Sequence, residues 1–194
     1  MKLLSMLLWI GLFGCAGGGG EVPQSHLYLL RAPAAPASFD SDIIVGLDSV
    51  QIASYLKRSE LVLQVLPQEL RPARYHRWAE PLDQNLRRYL RDRLSAELQM
   101  DVDANNRLRD RWDVRINVSI EEFHGTLAGQ ALLKASWDVE RLSGVASVRR
   151  GRAQLAEPQA RDGYSALVDA QARLLDALAQ RIAADLETVS AEGD

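Results

Sequence analysis

The sequence predicts an α/β fold: a single domain in which a mixed β-sheet is flanked by a mid-chain helix and a C-terminal helix. Three observations predict it. Residues 113–120 alternate apolar and polar side chains in the period of a half-buried strand. Residues 78–98 repeat a large apolar side chain every fourth position, and residues 162–189 carry a second helical pattern at the end of the chain. Short β-branched runs come before the first helix and a meander comes between the two, which is the order of a mixed sheet with helices packed on it. The 194 residues, 47% hydrophobic and 25% charged, suffice for one core and fit neither a disordered chain nor a polytopic membrane protein.

Residues 26–30 (HLYLL) form an apolar run ended by the Pro/Ala-rich stretch 32–38 and read as a first strand. Residues 42–47 (DIIVGL) read as a buried strand, residues 49–57 hold room for a helical turn, and residues 60–66 (ELVLQVL) are strand-like again. Pro67 and Pro72 bracket a loop or irregular edge running to about Arg74. The clearest helix follows, with Trp78, Leu82, Leu86, Leu90, Leu94 and Leu98 drifting by about 40° per step around it. Tyr89 widens this stripe, Arg87, Arg88 and Arg91 lie mainly off it, and Pro81 sits in the first turn, where its missing N–H costs nothing.

Residues 99–111 are polar and irregular, with room for a short extended segment. Val114, Ile116, Val118 and Ile120 then share one face of a strand, Gly125 and Gly129 bound a turn, and residues 130–140 return with Leu133, Ala135, Trp137 and Val139 inward. A further strand is predicted over 144–155. The last helix, 162–189, buries Val168, Leu174, Leu175, Leu178, Ile182 and Leu186. Residues 157–194 hold eight acids and three bases, whereas 71–115 hold eleven arginines and eight acids, an asymmetry that fits separate charged faces and equally an ordinary solvated surface.

The N-terminus reads as an address. Lys2 precedes an apolar run, residues 3–13, that is about half the roughly 20 residues needed to span a bilayer, as in a secretory signal. Leu12-Phe13-Gly14-Cys15 resembles the bacterial lipobox, and Cys15 is the only cysteine in the chain. That resemblance implies cleavage after Gly14, acyl chains on Cys15 and, with Ala16 following, retention on the inner leaflet of the outer membrane, facing the periplasm. The plain alternative is a stray cysteine behind an ordinary signal peptide. Residues 17–20 are all glycine and begin a tether. The expected organisation is a signal peptide (1–14), a lipidated cysteine and tether (15–25), one domain (26–190) and a tail (191–194). Cleavage removes only Lys2 from the charge count, taking −3 to −4.

An acidic chain is a poor general nucleic-acid binder, so no nucleic acid is expected as a partner. One cysteine and three dispersed histidines (His26, His76, His124) offer no zinc signature, and neither G-x-S-x-G nor H-E-x-x-H occurs. No catalytic residue, metal or cofactor is expected.

The blocks Tyr55-Leu56-Lys57-Arg58 with Leu61-Val62, Arg77-Trp78-Ala79-Glu80-Pro81-Leu82, and Val114 to Phe123 with Leu132 to Trp137 occur in an order that resembles the ABC-type transport auxiliary lipoprotein family. The resemblance covers nearly all of residues 27–186. It implies a three-layer α/β domain similar to the N-terminal domain of TolB-type proteins and a non-catalytic role in lipid transport between two bacterial membranes. The implied partners are an MCE-domain periplasmic protein of an ABC-type or PqiA-type lipid transporter, and further copies of the chain in a homo-oligomeric ring.

Tyr55 and Arg58 are candidates for a partner-binding edge, with a core plug and a turn cap as the structural alternative. Trp78, Glu80, Pro81 and Leu82 read as a helix start, and Leu56 and Trp137 as core. The loop 105–115 is the main docking candidate, with Arg107, Arg109, Arg111 and an exposed Trp112, because arginines and aromatics anchor interfaces; the competing reading has Trp112 packed against the hairpin as part of the core. Two functions fit: a docking lipoprotein, or a lipoprotein that itself carries a lipid or envelope ligand in an apolar pocket of several hundred cubic ångströms. An envelope hydrolase is a remote third.

Overall fold

The computed structural model describes residues 24–33, 42–144 and 147–191, so the predicted signal peptide, Cys15 and most of the tether lie outside the described residues. Eight strands form one mixed sheet: β1 (His26–Tyr28), β2 (Val45–Ile52), β3 (Glu60–Leu66), β4 (Glu69–Trp78), β5 (Val102–Asp103), β6 (Val114–Thr126), β7 (Gln130–Arg141) and β8 (Val148–Pro158). Two helices complete the fold, α1 (Leu82–Leu98) and α2 (Tyr164–Ala191).

The alternation in β6 makes it the axis of the sheet. Val114, Ile116, Val118 and Ile120 are at most 2% exposed, while Arg115, Asn117 and Ser119 on the other face are half-buried. One edge of β6 carries the antiparallel β7, which in turn carries β8. The other edge is shared end to end. Parallel β2 lies beside the first half of β6, with β5 outside it, and parallel β3 pairs only at Gly125 and Thr126, with antiparallel β4 and then β1 beyond. From Val114 to Gly125, at ~3.3 Å per residue, the β5 end and the β3–β4–β1 end stand roughly 36 Å apart along the strand.

Both helices cover the same face. In α1, Leu82, Leu86, Tyr89, Leu90 and Leu94 are buried, and the Tyr89 hydroxyl donates across to α2, to Asp176 Oδ1 at 2.9 Å and to the Ala172 carbonyl at 3.1 Å. Burial, reinforced by the neighbouring Asp176 carboxylate, pushes the Tyr89 phenol far above its ordinary pKa. Leu174, Leu175, Leu178, Ile182 and Leu186 of α2 close over β7 and β8. Trp137 lies against Gly151 on the paired strand, where an added Cβ would come within 2.1 Å of the ring, and its indole N–H donates to Asp185 of α2 at 2.8 Å.

The predicted class therefore holds: one domain, one mixed sheet, a mid-chain helix and a C-terminal helix. The layer count that the resemblance implies is corrected from three to two, because α1 and α2 pack on each other over one face of the sheet, and the opposite face carries polar side chains and the indole of Trp112.

Four local expectations are also corrected. Residues 67–74 are not a loop: Pro72 sits inside β4, on a stretch that pairs with β3 on one side only, where a strand tolerates proline. Trp78 ends β4 rather than opening the helix, and Pro81 stands at the N-cap of α1. The second strand starts at Val45 and runs to Ile52, so the helical turn shrinks to Ser54–Leu56. The strand expected over 144–155 runs from Val148 to Pro158.

Arg87, read as lying off the apolar stripe, is a structural cation. Its guanidinium donates to the carbonyls of Ala104, Asp48 and Leu47 at 2.7, 2.7 and 2.8 Å, tying α1 to the β2–β5 edge.

Candidate docking surface

The arginine-rich segment follows β5 at the start of β6. Its frame is Asp103, the last residue of β5. The Asp103 carboxylate accepts from the amide of Asn105 at 3.0 Å, the amide of Leu108 at 2.9 Å and the indole N–H of Trp112 at 3.0 Å. Burial alone raises its pKa, but these donors and the Arg107 amide outweigh that and hold the carboxyl below its ordinary value. A single turn of 3₁₀ helix, Arg109–Arg111, brings the chain round to Trp112.

Trp112 is 5% exposed, which corrects the expectation of an exposed tryptophan. It packs on Gly46 of β2, on the face of the sheet away from the helices, at a place that only a residue without a side chain leaves open. The Arg109 guanidinium sits 5.6 Å from the centre of the indole and pairs with both carboxylate oxygens of Asp48 at 2.9 Å. Trp112 is thus the floor of the loop, Arg109 is clamped over it, and Arg107 and Arg111 project as exposed cations without an ion pair. Leu108 beside them is 38% exposed. Leu142, whose amide donates to the Asp113 carbonyl at the start of β6, is 41% exposed.

The other motif residues lie elsewhere. The Tyr55 hydroxyl lies 3.0 Å from His124 Nδ1; His124 is 3% exposed, and its Nε2 is buried without a partner. Burial pushes the Tyr55 phenol up and the His124 imidazole down. Leu56 is 2% exposed, and Arg58 is exposed on the turn before β3. Trp78 stacks on Phe123 with ring centres 6.3 Å apart, Glu80 makes a two-pronged pair with Arg88, and Leu82 is buried. The structure does not bring Tyr55 and Arg58 together with the arginine loop.

Sequence reasoning missed Gly46, Asp48 and Asp103, on which the loop stands. A glycine inside a β-branched run was the available signal for Gly46, because such a residue marks a close approach. The larger hollows are open grooves. One of about 470 Å³ crosses the polar face between Asn117, Ser119, Lys134, Asp138 and Arg152. Another of about 450 Å³ lies between Ile43, Leu98, Met100, Leu186 and Glu187. Among the described residues no group of three or more His, Cys, Asp and Glu side chains is placed to hold a metal ion, and no helix is long and apolar enough to cross a membrane.

Residues 28–183 match the family described as the ABC-type transport auxiliary lipoprotein component. The chain belongs to that family. It is accordingly an auxiliary transport lipoprotein and not an enzyme. It is similar to the intermembrane transport lipoprotein PqiC of Escherichia coli strain K12, and equally to that of Shigella flexneri, at 26% identity over 180 residues, covering 93% of this chain and 93% of each relative. The fold is that of a solved uncharacterized protein (TM-score 0.74, 24% identity, 84% of this chain and 99% of that one). It is shared with protein XCC0632 from Xanthomonas campestris (TM-score 0.60, 16% identity, 81% and 92%).

Proposed function

We propose that this chain is the outer-membrane docking subunit of an MCE/ABC-type intermembrane lipid transport system. Acyl chains on Cys15 hold it to the inner leaflet, and the surface around Arg107 and Arg111 receives the periplasmic MCE component, so that the lipid path is completed and membrane integrity is supported. One observation carries the assignment of the surface: a buried tryptophan, an aspartate and a glycine are spent on fixing a loop whose outward side chains are arginines. A loop whose backbone is braced in this way loses little backbone conformational entropy when a partner covers it. Several copies forming a ring belong to the same proposal, and the outer edge of β8, bonded only to β7, offers a strand for a neighbour.

The ligand-carrying alternative asks for an enclosed apolar cavity, and the grooves at hand are open and bordered by charged side chains. Crosslinking in membranes, purification through the C-terminus and mass spectrometry test the docking reading. An MCE-domain protein is the expected partner, and recovery of bound lipid with no such protein would favour the carrier.

A further inference from the structure

The N-terminal segment that carries Cys15 joins the described fold at one corner. Gln24 leads into β1, which lies on β4 at the far end of the sheet from the arginine loop. Nine peptide steps separate Cys15 from Gln24 and reach at most roughly 30 Å. A domain of this size is about 40 Å across. An anchor at Cys15 therefore holds the β1–β4 corner within roughly 30 Å of the bilayer surface.

That corner has the surface chemistry of a membrane contact. Leu27 is 65% exposed, Leu66 59%, Leu70 39% and Tyr75 36%. Along β4 stand Arg71, Arg74 and Arg77, all exposed, with Arg74 lying 6.0 Å from the centre of the Tyr75 ring; Leu27 pairs beside Arg77, and Leu66 and Leu70 lie at the β3–β4 turn. The turn before β3 adds Lys57 and Arg58, both exposed and without an ion pair. The only acids across residues 57–78 are Glu60, 3.3 Å from Arg77, and Glu69, 3.5 Å from Arg71. A basic patch mixed with exposed leucine and tyrosine, in a chain of net charge −3, suits anionic headgroups over an apolar interior.

We propose that the β1–β4 corner lies on the membrane surface against anionic phospholipid headgroups, and that this contact, together with the Cys15 anchor on which it rests, fixes the domain with the Arg107–Arg111 loop facing away from the bilayer. The lipid tether alone leaves the domain free to tumble. The second contact converts an anchor into an orientation and presents the docking loop to the periplasm.

Single-cysteine reporters test this, because a thioether at Cys15 leaves no free thiol in the mature protein. Full-length Leu27→Cys and Arg109→Cys proteins, extracted from membranes and labelled with a polarity-sensitive fluorophore, are reconstituted into vesicles of phosphatidylcholine alone or with one third phosphatidylglycerol. Lipid-borne quenchers are expected to quench position 27 several-fold more than position 109 in the anionic vesicles. High salt or Arg71→Glu with Arg74→Glu should abolish that difference. Equal quenching at the two positions, or none at either because a second copy covers the corner, overturns the orientation. Quenching that is the same in phosphatidylcholine alone overturns the anionic headgroup as its cause. Labelling of the protein without an added cysteine reports a free Cys15 thiol and overturns the anchor as well as the orientation.

Discussion

The indole of Trp112 lies so close to Gly46 that a methyl group added there would fall 2.0 Å from the ring. Gly46→Ala must therefore expel the ring or push β2 aside. Overpacking of this kind costs about 1–3 kcal/mol, and in a domain of this size each kcal/mol lowers the melting temperature by about 2–4 °C. Thermal unfolding followed by tryptophan emission is expected to show both the lower midpoint and a more solvent-exposed indole.

Asp103 makes the loop sensitive to acid. Its carboxyl is held below its ordinary pKa, so the stabilisation from its hydrogen bonds to the Asn105 and Leu108 amides and the Trp112 indole is complete above the unfolded value and is lost as pH falls through the lower folded value. Asp103→Asn should be less stable than the wild type at neutral pH, with the gap closing below about pH 4. A gap that is constant from pH 7 to pH 3 would contradict an ionised Asp103 as the frame of the loop.

His124 gives a second pH dependence, at milder acidity. Burial lowers the pKa of this imidazole, and His76 is shifted the same way by burial and by the neighbouring His26. The unfolded chain takes up protons near pH 6.5 that the folded chain refuses, so stability falls as pH drops below about 6.5. His124→Gln is expected to remove part of that fall in melting temperature between pH 7.5 and 5.5. An unchanged slope would mean that His124 is protonated in the fold.

Cys15→Ser tests the anchor. The substituted chain should take up no labelled fatty acid and should accumulate as an unprocessed precursor or appear in the periplasm after cleavage elsewhere. Fatty acid still incorporated by the Cys15→Ser protein would contradict Cys15 as the acceptor.

The parts of the fold that a sequence shows are those whose cause is local. Alternation over Val114, Ile116, Val118 and Ile120 gave the central strand and its inward face, and residues 60–66 gave β3 to the residue. The leucines at 82, 86, 90, 94 and 98 gave α1, but Trp78 falls on the same four-residue spacing while closing a strand, so the helix was started too early. β4 was hidden because Pro72 reads as a breaker unless the one-sided pairing of that stretch is known. The burial of Trp112 was out of reach for a different reason. It depends on a missing side chain at Gly46, 66 positions earlier, and on the carboxylate of Asp103, neither of which has a periodicity. The arginines of the docking loop were legible as charge, but their bracing was not.

Docking by the braced loop is the central claim, and Arg107→Ala with Arg111→Ala tests it most directly, since both side chains are exposed and neither holds the fold together. The measurement is capture of the MCE-domain protein recovered from crosslinked membranes, paired with thermal unfolding of the same purified variant. The account predicts capture weakened about tenfold or more, the scale of losing 1.4 kcal/mol or more from an interface, with an unchanged melting temperature. Capture equal to that of the wild type, or no MCE-domain protein among the crosslinked partners, would contradict it.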